Sequence, residues 1–208
     1  MDTAVHFFSR DKYVKDTNVW RRFGIRGKQA MEFAALNLPI VPGFILDSQI
    51  AAHLDKFELA AELPELIGQF EKETGKTFND SKNPLLLKVV ISPNLAIVNY
   101  PTLHNFGLTD ETLSGFADYV GEDFGYHEIL FLIHGVFQIE KKIAELQEDK
   151  KNIQLYTKKI ASLEAVINNN ASISKMKKLF DELRASLPDD FFSNAYSQLE
   201  YCLRRIST

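Results

Sequence analysis

The sequence predicts an α+β fold dominated by helix, with a small mixed sheet in its front part and an all-helical C-terminal half. Three observations lead there. The run Leu85-Leu86-Leu87-Lys88-Val89-Val90-Ile91, bounded by Pro84 and Pro93, has the length and β-branched content of a buried strand. Beyond Thr109 nearly every segment carries apolar residues at helical spacing. The chain has 208 residues, 45% of them hydrophobic, enough to bury a substantial core. The expected division is an α/β lobe over 1–108 and a helical lobe over 109–208 packed on it.

Val5-His6-Phe7-Phe8 opens the chain as a short strand candidate, and a turn is expected at Gly24. Lys28 to Leu38 is rich in helix formers, with Ala30, Phe33, Ala34 and Leu38 as its apolar face, and Pro39, Pro42 and Gly43 stop it. Asp47 or Ser48 caps a helix through about Leu54, and Leu63 to Thr74 reads as another that ends before Gly75. Leu95 to Val98 is a pairing partner for the central strand. Leu86, Val89, Val90, Phe33, Leu38 and Phe44 are expected in the core. The C-terminal helices should break near Gly121, Gly125, Asn168 to Asn170 and Pro188. Within them Ile139, Ile143, Leu146, Ile153, Ile160 and Ile167 approximate alternating spacings of four and three, which suits one long helix or an antiparallel hairpin. Packing within the chain is preferred to an intermolecular coiled coil.

Composition narrows the function. The 24 basic and 28 acidic side chains leave a net charge of -4 with no basic stripe, so no nucleic-acid partner is expected. The opening MDTAVHFFSRDKYVKD lacks the sections of a signal peptide and no apolar run has the length of a membrane span, so a cytoplasmic protein is expected. Cys202 is the only cysteine, which rules out an internal disulfide and reads as a buried small hydrophobe. His127 and His134 stand about 10 Å apart along one helix, too far to share a metal.

Gly24-Ile25-Arg26-Gly27-Lys28-Gln29 is not a Walker loop: it has two residues between its glycines where that motif has four, and Gln29 replaces the metal-binding hydroxyl. Arg26 and Lys28 nevertheless stand at a helix start, where the macrodipole disfavours cations and an anion would relieve them. First-turn N–H groups, a glycine approach and two positive side chains together suit a phosphate. A purely structural glycine turn with two solvated basic residues suits the same pattern.

Gly24-Ile25-Arg26-Gly27, the following helix and Leu38-Pro39-Ile40-Val41-Pro42-Gly43-Phe44 resemble the pyruvate phosphate dikinase family, which has a Gly-Gly-Lys-Gly turn, a helix and a Leu-Pro-x-Pro-x-Gly-Phe-like strand entry. Thr74-Gly75-Lys76-Thr77-Phe78, Asn83-Pro84-Leu85-Leu86-Leu87-Lys88-Val89 and Asn105-Phe106-Gly107-Leu108-Thr109-Asp110-Glu111 continue the likeness, and so do Leu187-Pro188-Asp189-Asp190 and Gln198-Leu199. It covers about residues 20 to 205 and implies the front lobe of an ATP-grasp domain. The resemblance places Arg26 where the family has its phosphate-contacting lysine. It places Val90 where the family has a phosphate-binding arginine, and Ala96 to Thr102 where it has a glycine-rich loop. An apolar side chain cannot neutralise phosphate charge.

The candidate binding residues are therefore Gly24, Arg26, Gly27, Lys28 and Lys88, with ATP or another phosphate anion as ligand and no catalytic or metal residues assigned. Magnesium is expected only if a partner supplies ligands, because the resemblance does not extend to the family's metal-binding carboxylates or phosphohistidine. The leading expectation is a protein inactive alone that retains weak nucleotide or phosphate binding. One alternative is a subunit of a split phosphotransferase completed by another chain. The other is an interaction module that binds a protein through its C-terminal helices, which an exposed apolar strip along Ile139 to Ile167 would favour.

Overall fold

The computed structural model describes residues 5–56, 58–92, 101–169 and 171–206. They form two compact units: one runs from 5 to 75 and takes in 91 and 92, and the other holds 76–90 and 101–206. The division therefore does not fall at 108, because the second pair of strands packs with the C-terminal helices. The architecture is predominantly helical α+β. The described strands make two separate antiparallel pairs in place of the single mixed sheet that the sequence predicts.

In the first unit β1 (Val5–Phe8) pairs with β2 (Gly43–Leu46), Val5 opposite Leu46 and Phe8 opposite Gly43. Helix α1 (Gly24–Ala35) starts at Gly24, not at Lys28, and buries Gly24, Gly27, Met31 and Ala34. That register corrects two core assignments: Phe33 faces away from the buried stripe and is 49% exposed, and Leu38, beyond the helix end, is 42% exposed. The end is a Schellman turn: Asn37 is left-handed at φ 54°, and Leu38 N–H donates to the Phe33 carbonyl at 3.0 Å. Asp47 caps α2 (Ser48–Ala51), which is shorter than predicted and is followed by a 3-10 turn over Leu54–Lys56. Helix α3 (Leu59–Thr74) ends at Gly75 as predicted, and its Phe70 ring meets Phe7 and Phe44 at centroid distances of 5.9 and 5.3 Å. Trp20, Phe23 and Met31 form the neighbouring core.

In the second unit β3 (Leu87–Val89) pairs with β4 (Leu103–Phe106), Leu87 opposite Phe106 and Val89 opposite Leu103. Leu95 to Val98, the predicted partner, lies outside the described residues. Leu85 is buried, but Leu86, Val89 and Val90, like Phe44 of the first unit, are only half-buried. A two-stranded ribbon has one covered face at most, which explains the shortfall. Helix α4 (Asp110–Val120) begins with Thr109 and Thr112 capping one another's backbone. Gly121 separates α4 from α5 (Glu122–Leu146), whereas Gly125 lies inside α5 and does not break it. Helix α6 (Lys150–Ile167) returns against α5 as an antiparallel hairpin, with the Phe137 and Tyr156 rings 5.7 Å apart. The isoleucine series belongs to this hairpin: Ile139 and Ile143 are buried and Ile153, Ile160 and Ile167 half-buried. Helices α7 (Ile173–Arg184) and α8 (Ala195–Ile206) complete the unit, with Cys202 buried. No described helix is long and apolar enough to cross a membrane.

Candidate functional site

The start of α1 brings together Gly24, Arg26, Gly27 and Lys28, four of the five residues singled out from sequence. Phe23 occupies the cap position without a side-chain cap, and the first turn contains no acidic residue. Arg21 and Arg22 precede it in a 3-10 turn over Val19–Arg22, so the helix start collects positive charge against its own dipole. Arg26 and Lys28 are exposed, and Lys28 lies 3.7 Å from Glu32 one turn on, an exposed pair of little energetic weight. Lys88 is exposed on β3 of the second unit. Burial first, and then the Lys88 charge, hold the His104 imidazole there below its ordinary range.

Local sequence did not indicate the part played by Ser92. Its hydroxyl accepts from Gly27 N–H at 3.0 Å and donates to the Phe23 carbonyl at 2.8 Å, bridging the two groups that close the first helical turn. Gly24 is left-handed at φ 66°, and a Cβ there would lie 1.8 Å from the Ser92 carbonyl oxygen. A Cβ on Gly27 would lie 2.8 Å from Phe23 Cβ and 3.1 Å from Ile45 Cδ1. Both glycines thus have a packing role whether or not an anion binds. The N–H groups of Gly24 and Ile25 precede the first intrahelical bond of α1.

Behind this turn Asp47 is fully buried. Its Oδ1 accepts from Gln49 N–H at 2.9 Å, while Oδ2 stands 3.4 Å from His6 Nε2 and 3.0 Å from Arg22 Nε. The Arg22 contact is close in distance but off hydrogen-bond geometry, so it is an ion pair. Asp47 thereby anchors the residue preceding Phe23 and draws one arginine away from the helix start. The position of Ser92 and the Arg22–Asp47 pair join segments far apart in sequence, which no spacing rule could reveal.

Replacing Gly24 by alanine should destabilise the protein by about 2 kcal/mol or more, since it combines left-handed backbone strain with a clash against main chain that cannot swing aside. Urea denaturation measures this. A loss below about 0.5 kcal/mol would show that the Ser92 segment yields.

No protein-family profile matches the chain. Among curated proteins it is 41% identical to pyruvate, phosphate dikinase of Treponema pallidum over 205 residues, covering 98% of this chain and 23% of that enzyme. It is 21% identical to the Rickettsia felis enzyme over 99% of this chain and 24% of the relative. Against the chloroplastic pyruvate, phosphate dikinase 1 of Zea mays it is 29% identical over 59% of the chain and 14% of that protein. The chain spans about a quarter of the length of the first two relatives, and is homologous to one segment of them.

Proposed function

We propose that this chain, a relative of one segment of pyruvate, phosphate dikinase, is a nucleotide- or phosphate-binding module built on the front lobe of an ATP-grasp domain, without phosphoryl transfer of its own. The 41% identity to one segment of the Treponema pallidum protein, over 98% of this chain, carries this reading. The first-turn amides of α1, with Arg26 and Lys28 beside them, are the anion receptor. Binding is weak for two reasons: Ser92 already engages Gly27 N–H, and Val90 stands where the family's pattern has a phosphate-binding arginine. ATP or polyphosphate is the ligand class, with magnesium engaged only where other polypeptide supplies carboxylates.

The similarity to one segment of a dikinase supports a second reading, in which the chain is one subunit of a split phosphotransferase that another chain completes.

Titration calorimetry and thermal melts with ATP and with tripolyphosphate test the receptor. Wild type should show weak saturable heat and a modest rise in stability, since stabilisation follows RT ln(1 + [L]/Kd) and reaches about 2.7 kcal/mol only at a hundredfold excess over Kd. Arg26→Glu should abolish both. The reversed charge suits the macrodipole of the ligand-free helix, so lost binding is separable from lost folding. Identical binding by the two forms, or no heat from either, would mean that the glycine turn is structural only.

A further inference from the structure

The second unit contains a small cavity unrelated to the glycine turn. It has a volume of about 100 Å³ and lies between α5 and the end of α6, walled by Phe131, His134, Glu164, Ile167 and Asn168. The Phe131 and His134 rings, three positions apart on α5, are nearly parallel, with an interplanar angle of 11° and centroids 6.2 Å apart. His134 Nε2 stands 3.4 Å from Glu164 Oε1, a contact at the long limit that leaves the half-exposed carboxylate weakly held. We propose that this cavity takes the guanidinium head of an arginine side chain presented by a partner polypeptide.

Shape, charge and size each select that ligand. Parallel ring faces favour a flat group that can lie against them, and guanidinium stacks on aromatic planes as well as being attracted to them as a cation. The Glu164 carboxylate supplies the opposite charge and accepts paired N–H donors in the fork geometry that arginine offers and lysine does not. Asn168 adds a polar residue to the wall, and Ile167 gives the arginine methylenes an apolar one. A space of about 100 Å³ suits one planar head group and not a whole nucleotide. A compact ammonium holds its hydration more strongly and gains nothing from planarity, so lysine fits less well. The site is independent of the anion reading: it lies in the other unit and takes a ligand of opposite charge.

The test is a titration of the full isotope-labelled chain with acetyl-Gly-Arg-Gly-amide, followed by amide correlation spectra. Saturable shifts should centre on Phe131, His134, Glu164 and Asn168, with Kd on the order of 1 mM, as befits one small head group. The lysine and citrulline versions of the peptide should bind at least tenfold more weakly. Glu164→Gln, an isosteric change at a half-exposed position, should weaken the arginine peptide at least tenfold, and Phe131→Leu should also weaken it by removing one ring face. The same spectra report whether each variant is folded. The proposal fails if shifts do not saturate, if they centre elsewhere, if citrulline matches arginine, or if folded Glu164→Gln binds as wild type does. Free L-arginine binding more than tenfold tighter than the capped peptide would overturn the polypeptide origin of the ligand.

Discussion

Replacing Gln198 by methionine is expected to cost about 3 kcal/mol or more of folding stability, although the two side chains are similar in size. Gln198 is fully buried on α8. Its Oε1 accepts from Gly107 N–H at 2.8 Å, and its Nε2 donates to the carbonyls of Leu108 at 3.0 Å and Phe191 at 3.3 Å. One amide therefore satisfies the turn between β4 and α4 together with the approach to α8. Gly107 cannot turn away: it sits at φ 109°, and a Cβ there would be 2.8 Å from the Leu85 carbonyl oxygen. Methionine preserves the packing and withdraws every polar contact, leaving one N–H and two carbonyls in a dry interior at about 1 to 3 kcal/mol each. The denaturant midpoint should fall with the slope unchanged, because the loss is local to the native state. A cost below about 1 kcal/mol would mean that water enters the turn.

What was legible in the sequence is what local chemistry decides. Val5-His6-Phe7-Phe8 is a strand, Gly75 ends α3, and Asp47 caps the helix that follows it, each because its neighbours along the chain determine it. The hairpin of α5 and α6 was one of two readings of the isoleucine spacing, and the chain reverses through Gln147, Glu148 and Asp149, with Glu148 left-handed at φ 56°. The register of α1 was not legible. Its start depends on Ser92, 65 residues from Gly27, and without that contact Lys28 looks like the first helical residue and Phe33 like core. The same limit applies to the glycine turn. Its residue types suggested a phosphate approach, and only the approach of Ser92 shows that Gly24 is required for packing as well. The resemblance put Asn105-Phe106-Gly107 and Gln198-Leu199 in the right order along the chain, but that Gln198 closes on Gly107 is a tertiary fact. Buried polar residues such as Gln198 and Glu140 leave no trace in periodicity, since their hydrophilic side chains sit where the pattern expects apolar ones.

Arg205→Ala should be among the most destabilising single changes in the second unit, at about 3 to 5 kcal/mol. Glu140 lies on α5 with its side chain only 6% exposed, and Arg205 of α8 grips both carboxylate oxygens, Nε to Oε1 and Nη2 to Oε2, each at 2.6 Å. Tyr201, one turn earlier on α8, donates its hydroxyl to the same Oε1 at 2.8 Å. Burial, and then the Glu140 charge, push the Tyr201 hydroxyl well above its ordinary range, so it remains a donor throughout the neutral region. Truncating Arg205 leaves a buried carboxylate with one neutral donor in place of a bidentate cation, and desolvation that the pair had offset is then uncompensated. The size of the loss does not equal the worth of the pair. Removing both charges by Glu140→Met with Arg205→Leu should recover most of the stability, because apolar side chains of similar volume need no hydrogen bonds in that setting, although Tyr201 then loses an acceptor and limits the recovery to within about 1 to 2 kcal/mol of wild type. Urea denaturation of wild type, Arg205→Ala and the double variant decides it. If the double variant is as unstable as the single one, the contact between α5 and α8 depends on the ion pair itself, and packing around Leu199, Cys202 and Leu203 contributes less than their burial implies.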